Sequence, residues 1–272
     1  MPTYAEELAD FLRCGVLVFI SLRSFADESY GHDVETTPWY VISGYVGKPN
    51  QWSVFERIWR KTIRDEGIRD IGFHANRCVR GRGEYQEVEH DRRERIQHGL
   101  IKAIVKSEVR GVLASIDMNL YRANRDRLNE SFSNPDLRKF NNPYLLAFHQ
   151  FVQLTTKAEK SSLKIGFMFD RRPKGALGSS PEWYDSLRDQ PGTKFRNRMG
   201  PFAWDTRGDA IEMDAADMLA YCSYRHLSGD SMWQWDALNN GYPIITYQFD
   251  RKYWDDLFAA IARENHLKME LH

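Results

Sequence analysis

The stretch 16-VLVFISLRSFADESYG-31 decides the fold. An apolar run from Val16 to Ile20 passes through a mixed segment and reaches two adjacent carboxylates, Asp27 and Glu28. Residues 15–26 read as a strand, apolar in its first half and mixed in its second. A charged strand end serves solubility, because strand ends meet water. It is also a rigid place to hold carboxylates over a cation. The rest of the chain has to distinguish these two uses.

Upstream, residues 4–13 read as a short helix. Downstream, 39-WYVISGYVG-47 is a second strand of alternating character, and the short connection Ser29–Thr37 predicts an antiparallel hairpin. In 51-QWSVFERIWRKTIRDEG-67, Trp52, Phe55, Trp59 and Ile63 recur at helical spacing, and Gly67 is a C-terminal stop. The segment 70-DIGFHANRC-78 reads as a short strand or extended run into a Gly/Arg loop. Residues 91–107 predict an amphipathic helix, and 109-VRGVLASID-117 a third strand. Residues 120–142 are polar and rich in Asn and Arg, an insertion or short helical cap. A helix follows from Pro143 to Lys160, with the proline in its first turn. The clearest strand is 163-LKIGFMFD-170, which also ends in an aspartate. Residues 171–208 are Gly-, Pro- and Arg-rich and read as a long loop. Helices are predicted at 211-IEMDAADMLAYCSYRHL-227 and within 246–266, the last capped by Asp250. Strands and helices thus alternate, which predicts an α/β fold. No GxGxxG, GxxxxGK[ST] or GxSxG motif supports a dinucleotide, phosphate-loop or serine-hydrolase reading.

Composition narrows the classes. A chain of 272 residues with 42% hydrophobic and 13% aromatic residues buries a sizeable core. Lys+Arg and Asp+Glu both number 38, which excludes a uniformly basic nucleic-acid binder but not a local basic groove. Three widely spaced cysteines (Cys14, Cys78, Cys222) form no CxxC pair. That argues against a disulfide framework or cysteine zinc site and for a reducing, cytoplasmic setting. Cys78 and Cys222 read as small buried residues. The N-terminus lacks the features of a signal peptide, and no apolar run approaches the roughly 18 residues needed to cross a bilayer.

Chemistry concentrates in three acidic places: Asp27 and Glu28, Asp170, and the pair Asp214 and Asp217. The last two, three residues apart on a helix, share a face. Like charges at that spacing are mildly destabilising, by roughly 0.2–0.5 kcal/mol, and a cation between them reverses the sign. Oxygen ligands suit Mg²⁺ or Mn²⁺. Phosphodiester hydrolysis uses such ions to polarise the phosphate, generate hydroxide and stabilise the leaving oxygen. Each acidic residue also has an ordinary use, as a turn or cap residue at a strand end or on a solvated helix face. Asp117 ends a strand as well and competes with Asp170 for a ligand position. Asp170 is favoured because Arg171, Arg172 and Lys174 follow it and suit phosphates. His74 is either an auxiliary acid/base or a hydrogen-bonded loop histidine. Trp52 and Trp59 read as core; Trp204, Trp233 and Trp235 read either as packing or as platforms for bases.

The motifs 26-ADES-29, 40-YVISGYVG-47, 73-FHA-75 and 213-MDAADMLAY-221 resemble the family known as domain of unknown function 3800. That family has an early Asp-Glu pair and a late Gln-x-x-Asp on an Ala-rich helix. Asp27 and Glu28 match the first and Asp217 the aspartate of the second, while Asp214 stands at the Gln position. The resemblance spans roughly residues 15–228. It implies a ribonuclease-H-like mixed sheet flanked by helices, with carboxylates gathered at its centre. The chain then reads as one domain, with insertions at about 120–142 and 171–208 and a helical extension at about 229–272. The expected function is a metal-dependent nuclease. Asp27, Glu28, Asp170 and Asp217 are the metal ligands, Asp214 is an additional ligand, and DNA or RNA is the partner. Two alternatives stand beside it. One is a non-catalytic protein that binds nucleic acid or a protein partner. The other is a small-molecule phosphatase or nucleotide hydrolase. Homo-oligomerisation is left open.

Overall fold

The strand that carries the acidic pair does not stop before it. β1 spans Ile20–Ser29, so Asp27 and Glu28 lie inside the strand rather than beyond its expected end at residue 26. The computed structural model describes residues 20–31, 33–68, 73–131, 141–158, 163–170, 180–189, 193–205 and 210–270. The side chains of residues 20, 21, 180–182, 205 and 264–270 fall outside that description. The expected helix at 4–13 and Cys14 also lie outside it.

β2 (Trp39–Gly47) returns antiparallel to β1, as the short connection predicts, with Asp27 opposite Ser43 and Ala26 opposite Gly44. Gly44 permits that close approach: a Cβ there would lie 2.7 Å from Ala26 Cα. α1 (Pro49–Asp65) begins with its proline in the first turn and buries Trp52, Phe55 and Trp59 along one stripe. Gly67, at φ +59°, lets the chain leave it. Of the segment expected to be extended around 70–78, residues 70–72 lie outside the described residues; His74 is extended, and Ala75–Arg80 forms the short helix α2, closed by Gly81 at φ +60°. α3 (His90–Ser107) and β3 (Arg110–Asp117) follow their sequence patterns. α4 (Met118–Ser131) occupies much of the polar 120–142 region, and α5 (Pro143–Ala158) starts at its proline.

β4 is Lys164–Asp170. The long loop expected at 171–208 is corrected in two places, by α6 (Ser180–Asp189) and by β5 (Met199–Asp205). The Gly200-Pro201 pair obscures β5 in the sequence. A proline fits there because β5 is an edge strand, where a missing N–H breaks no inner ladder. α7 is Ile211–Leu227, as its pattern predicts. The C-terminal region is not purely helical. α8 (Trp233–Gly241) is followed by β6 (Ile245–Phe249), which joins the sheet, and then by α9 (Arg251–Glu270).

The fold is α/β: a mixed six-stranded sheet in the order β5-β4-β1-β2-β3-β6, flanked by nine α-helices among the described residues. β2 alone runs against the others, since β4 is parallel to β1, β5 to β4, and β6 to β3. A three-stranded antiparallel meander extended by parallel strands agrees with a ribonuclease-H-like sheet. One face carries Phe25, Val41, Tyr45, Leu113 and Met168 beneath α1, α3 and α7. The other carries Leu22, Ala26, Ile42, Ile116 and Phe167 beneath α5 and α9. Among the described residues no helix is long and apolar enough to cross a membrane.

Candidate active site at the carboxyl end of the sheet

The five strands that share one direction each carry an aspartate close to, at or just past the carboxyl end: Asp27, Asp117, Asp170, Asp205 and Asp250. Two of these are structural. Asp117 Oδ1 accepts the N–H groups of Asn119 (2.9 Å) and Leu120 (3.2 Å) and so caps α4. Asp250 Oδ1 accepts Tyr253 N–H at 2.9 Å and caps α9, as its sequence position predicts. The other three sit side by side. Asp170 pairs in register with Asp205, and the Ala26–Phe169 pairing places Asp27 level with Asp170 one residue on. Neighbouring strands lie about 4.8 Å apart. β1 leads to β2 on one side and β4 to β5 on the other, so the chain order reverses between β1 and β4. The crevice outside the carboxyl ends of strands at such a reversal is where α/β sheets bind ligands. Asp117, which competes with Asp170 for a ligand position in the sequence, has one carboxylate oxygen engaged in the α4 cap.

Alternation along the strands sorts the remaining candidates. Asp27 follows Phe25 and Asp170 follows Met168 at a spacing of two, which puts both on the face covered by α7. Asp27 is only 1% exposed, and its Oδ1 accepts the N–H of Glu28 at 2.8 Å. Glu28 pairs with Ile42 and belongs to the opposite face, with Ala26. Asp27 and Glu28, expected to act together, are therefore on opposite sides of the sheet. The pleat directs adjacent strand residues to opposite faces.

α7 runs along β1 towards its carboxyl end. The charge of Arg23 acts on Glu212 in its first turn, and Tyr224 Oη meets Thr37 Oγ1 at 3.3 Å near its last. Burial holds the Glu212 carboxyl above the usual range. Asp214 and Asp217 have specific uses here. Asp214 Oδ2 accepts Phe73 N–H at 3.0 Å, and Asp217 Oδ2 accepts Ala75 N–H at 2.8 Å. The two carboxylates thus clamp the 73-FHA-75 segment from both sides of His74. The backbone N–H groups offset the like-charge repulsion that the helix spacing creates. Phe73 is fixed further by Trp59 and Tyr85, at ring-centroid distances of 5.7 and 6.2 Å.

Other titratable groups near α7 are held in their protonated forms. Burial pushes the Cys78 thiol up to about 12 and raises Cys222 and the Tyr85 phenol strongly, so none is poised to ionise. Ser43 Oγ, in register with Asp27, and Ser223 Oγ on α7 are buried without a hydrogen-bond partner among the described residues. The tryptophans weighed as base platforms are packed. Trp233 stacks on His98 (4.0 Å), Trp235 on His226 (4.6 Å), and Trp204 meets Phe202 edge-on (5.1 Å). Arg171, Arg172 and Lys174 lie outside the described residues. Among the described residues no group of three or more His, Cys, Asp or Glu side chains is placed to hold a metal ion. Sequence reasoning missed the position of Asp205. The signal was available in 199-MGPFAWD-205, which ends in an aspartate as 163–170 does. No family model, curated protein or solved structure matches the chain.

Proposed function

We propose that the protein is a metal-dependent nuclease whose site lies at the carboxyl ends of β1 and β4. One observation carries this reading: Asp27 and Asp170 occupy the same level and the same face of two adjacent parallel strands, where the chain order reverses. Two carboxylates so placed make an oxygen donor set suited to Mg²⁺ or Mn²⁺. Asp205, in register with Asp170, is the position from which a third carboxylate would come. A divalent ion held there would polarise a phosphodiester and lower the pKa of a bound water.

The chain's own residues do the remaining work. Asp27 and Asp170 would hold that charge rigidly, because both are anchored in a sheet. Asp217 and Asp214, expected as metal ligands, each accept a backbone N–H and so fix the backbone around His74. His74, so clamped, is the acid/base group that would return a proton to the leaving oxygen. Arg171, Arg172 and Lys174, directly after Asp170 in sequence, are suited to hold the phosphates of the bound strand. The resemblance to domain of unknown function 3800 and the cysteine usage support a nucleic-acid substrate and a reducing cytoplasm.

The test is cleavage of end-labelled single- and double-stranded DNA and RNA with Mg²⁺ or Mn²⁺, by wild type, Asp27→Asn and Asp170→Asn. Cleavage by wild type and at least a hundredfold loss in both variants is the expected result. Cleavage that survives in both variants overturns the site.

A further inference from the structure

A concavity lies at the opposite end of the sheet and on its other face. A cavity of about 670 Å³ opens between α5 and the turn that leads into β5, lined by His149, Gln153, Thr156, Lys157, Thr193, Lys194, Phe195 and Arg198. His149, Gln153, Thr156 and Lys157 form one face of α5, at the spacing that brings side chains of successive turns together. Arg198 stands just before β5, whose first residue pairs with Ile165, whereas Asp170 and Asp205 pair at its far end. Six residues of strand separate the two ends, about 20 Å. The cavity is therefore no part of the aspartate site.

Among the described residues that line it, Lys157, Lys194 and Arg198 are cations and none is a carboxylate. Among the described residues neither Lys157 nor Lys194 has an ion-pair partner. Both lysines are exposed, so their ammonium groups are free to turn into the cavity. Arg198 is fixed instead: its guanidinium donates to the carbonyl oxygens of Thr156 and of Leu163, the latter at 3.4 Å. The floor is aromatic, with the His149 and Phe195 ring centroids 6.0 Å apart. Burial holds the His149 imidazole below its usual range, so at neutral pH it serves as a neutral donor or acceptor. Gln153, Thr156 and Thr193 supply further neutral polar groups. The volume lies within the roughly 300–1,000 Å³ of small-molecule sites.

We infer that this cavity binds the phosphate group of a small phosphate monoester, held by Lys157 and Lys194 over the His149–Phe195 floor, with the fixed charge of Arg198 beside them. A dianionic phosphate matches two lysines that can turn into the cavity, and an arginine pre-fixed by carbonyls adds its positive charge with little loss of side-chain freedom. The site does not rest on the nuclease reading, and its occupant does not need a metal.

The test is isothermal titration calorimetry in metal-free buffer with three probes: inorganic phosphate, a sugar monophosphate and a nucleoside monophosphate. It is run on wild type, on Asp27→Asn and on Lys157→Ala/Lys194→Ala. Both lysines are exposed, so the double variant should keep its fold, which circular dichroism checks. Expected are binding of at least one probe below 1 mM, an unchanged affinity in Asp27→Asn, and at least a tenfold loss in the double lysine variant. Tighter binding of either ester than of inorganic phosphate identifies the organic part as a second recognised element; equal binding identifies the phosphate alone. Absence of binding by all three probes at 10 mM, or binding unchanged in the folded double variant, overturns the inference.

Discussion

Replacing Asp214 by alanine tests whether the helix carboxylates are anchors. Asp214 is 2% exposed and accepts the buried N–H of Phe73 at 3.0 Å. A hydrogen bond to a charged group contributes about 1.5–3 kcal/mol, and a buried donor left without an acceptor costs about 1–3 kcal/mol. These two figures describe the same loss from two sides, so the alanine variant should lose about 2–3 kcal/mol. For a chain of this size that is a melting-temperature drop of at least about 4 °C. Asparagine keeps an acceptor oxygen without the charge and should lose about half as much. Asp217 is partly exposed, and its alanine variant should lose about 1 kcal/mol, because water can reach the released Ala75 N–H. The assay is urea unfolding followed by tryptophan fluorescence, since Trp59 packs against Phe73 and reports on that segment. An Asp214→Ala stability within 0.5 kcal/mol of wild type would refute the anchoring argument. Loss of any Mn²⁺ response in Asp214→Asn, with stability unchanged, would assign the carboxylate to a metal instead.

Other consequences are equally direct. Gly44→Ala drives a Cβ into the Phe25 carbonyl and to 2.7 Å from Ala26 Cα, next to Asp27; it should cost about 3 kcal/mol or more, measured by chemical denaturation. Glu212 has a raised pKa in the folded state, so the folded protein binds more protons than the unfolded chain between the ordinary carboxylate range and that raised value. Its contribution to stability therefore falls as pH rises through that window. Glu212→Gln should match wild type below the ordinary carboxylate range and exceed it at neutral pH, as melts from pH 4 to 8 will read. In a Cys14→Ser background, Cys78 and Cys222 should not react with a thiol reagent at pH 8 until urea unfolds the chain, because burial suppresses both thiolates.

Much of the fold was legible because hydrophobic period decides secondary structure where an element has one clearly buried face. Trp52, Phe55 and Trp59 announce α1, and 163-LKIGFMFD-170 announces β4, for that reason. β5 was hidden by Gly200-Pro201, which reads as a loop unless the strand is known to lie at an edge. β6 is a short strand of alternating partial exposure, and its membership in the sheet depends on pairing with β3, a contact between residues far apart in sequence. The site divides along the same line. Strand-end aspartates can be read from sequence, but register decides which of them are neighbours. It places Asp27 beside Asp170 and assigns Asp117 to a helix cap. Pleating separates Glu28 from Asp27, and only the strand's continuation to Ser29 reveals it. The Asp214–Asp217 pair looked like a cation site because like charges on a helix demand compensation. The compensation visible in the fold is two backbone N–H groups, from a segment more than a hundred residues away.

The most direct test of the account is calorimetric titration of Mn²⁺ into wild type, Asp27→Asn, Asp170→Asn and Asp117→Asn, with thermal melting of each alongside. Wild type and Asp117→Asn should bind Mn²⁺ and melt at higher temperature with increasing metal, by mass action on the folded state. Asp27→Asn and Asp170→Asn should fold and lose both responses. Mn²⁺ binding that survives in both of these folded variants would contradict the placement of the site between β1 and β4.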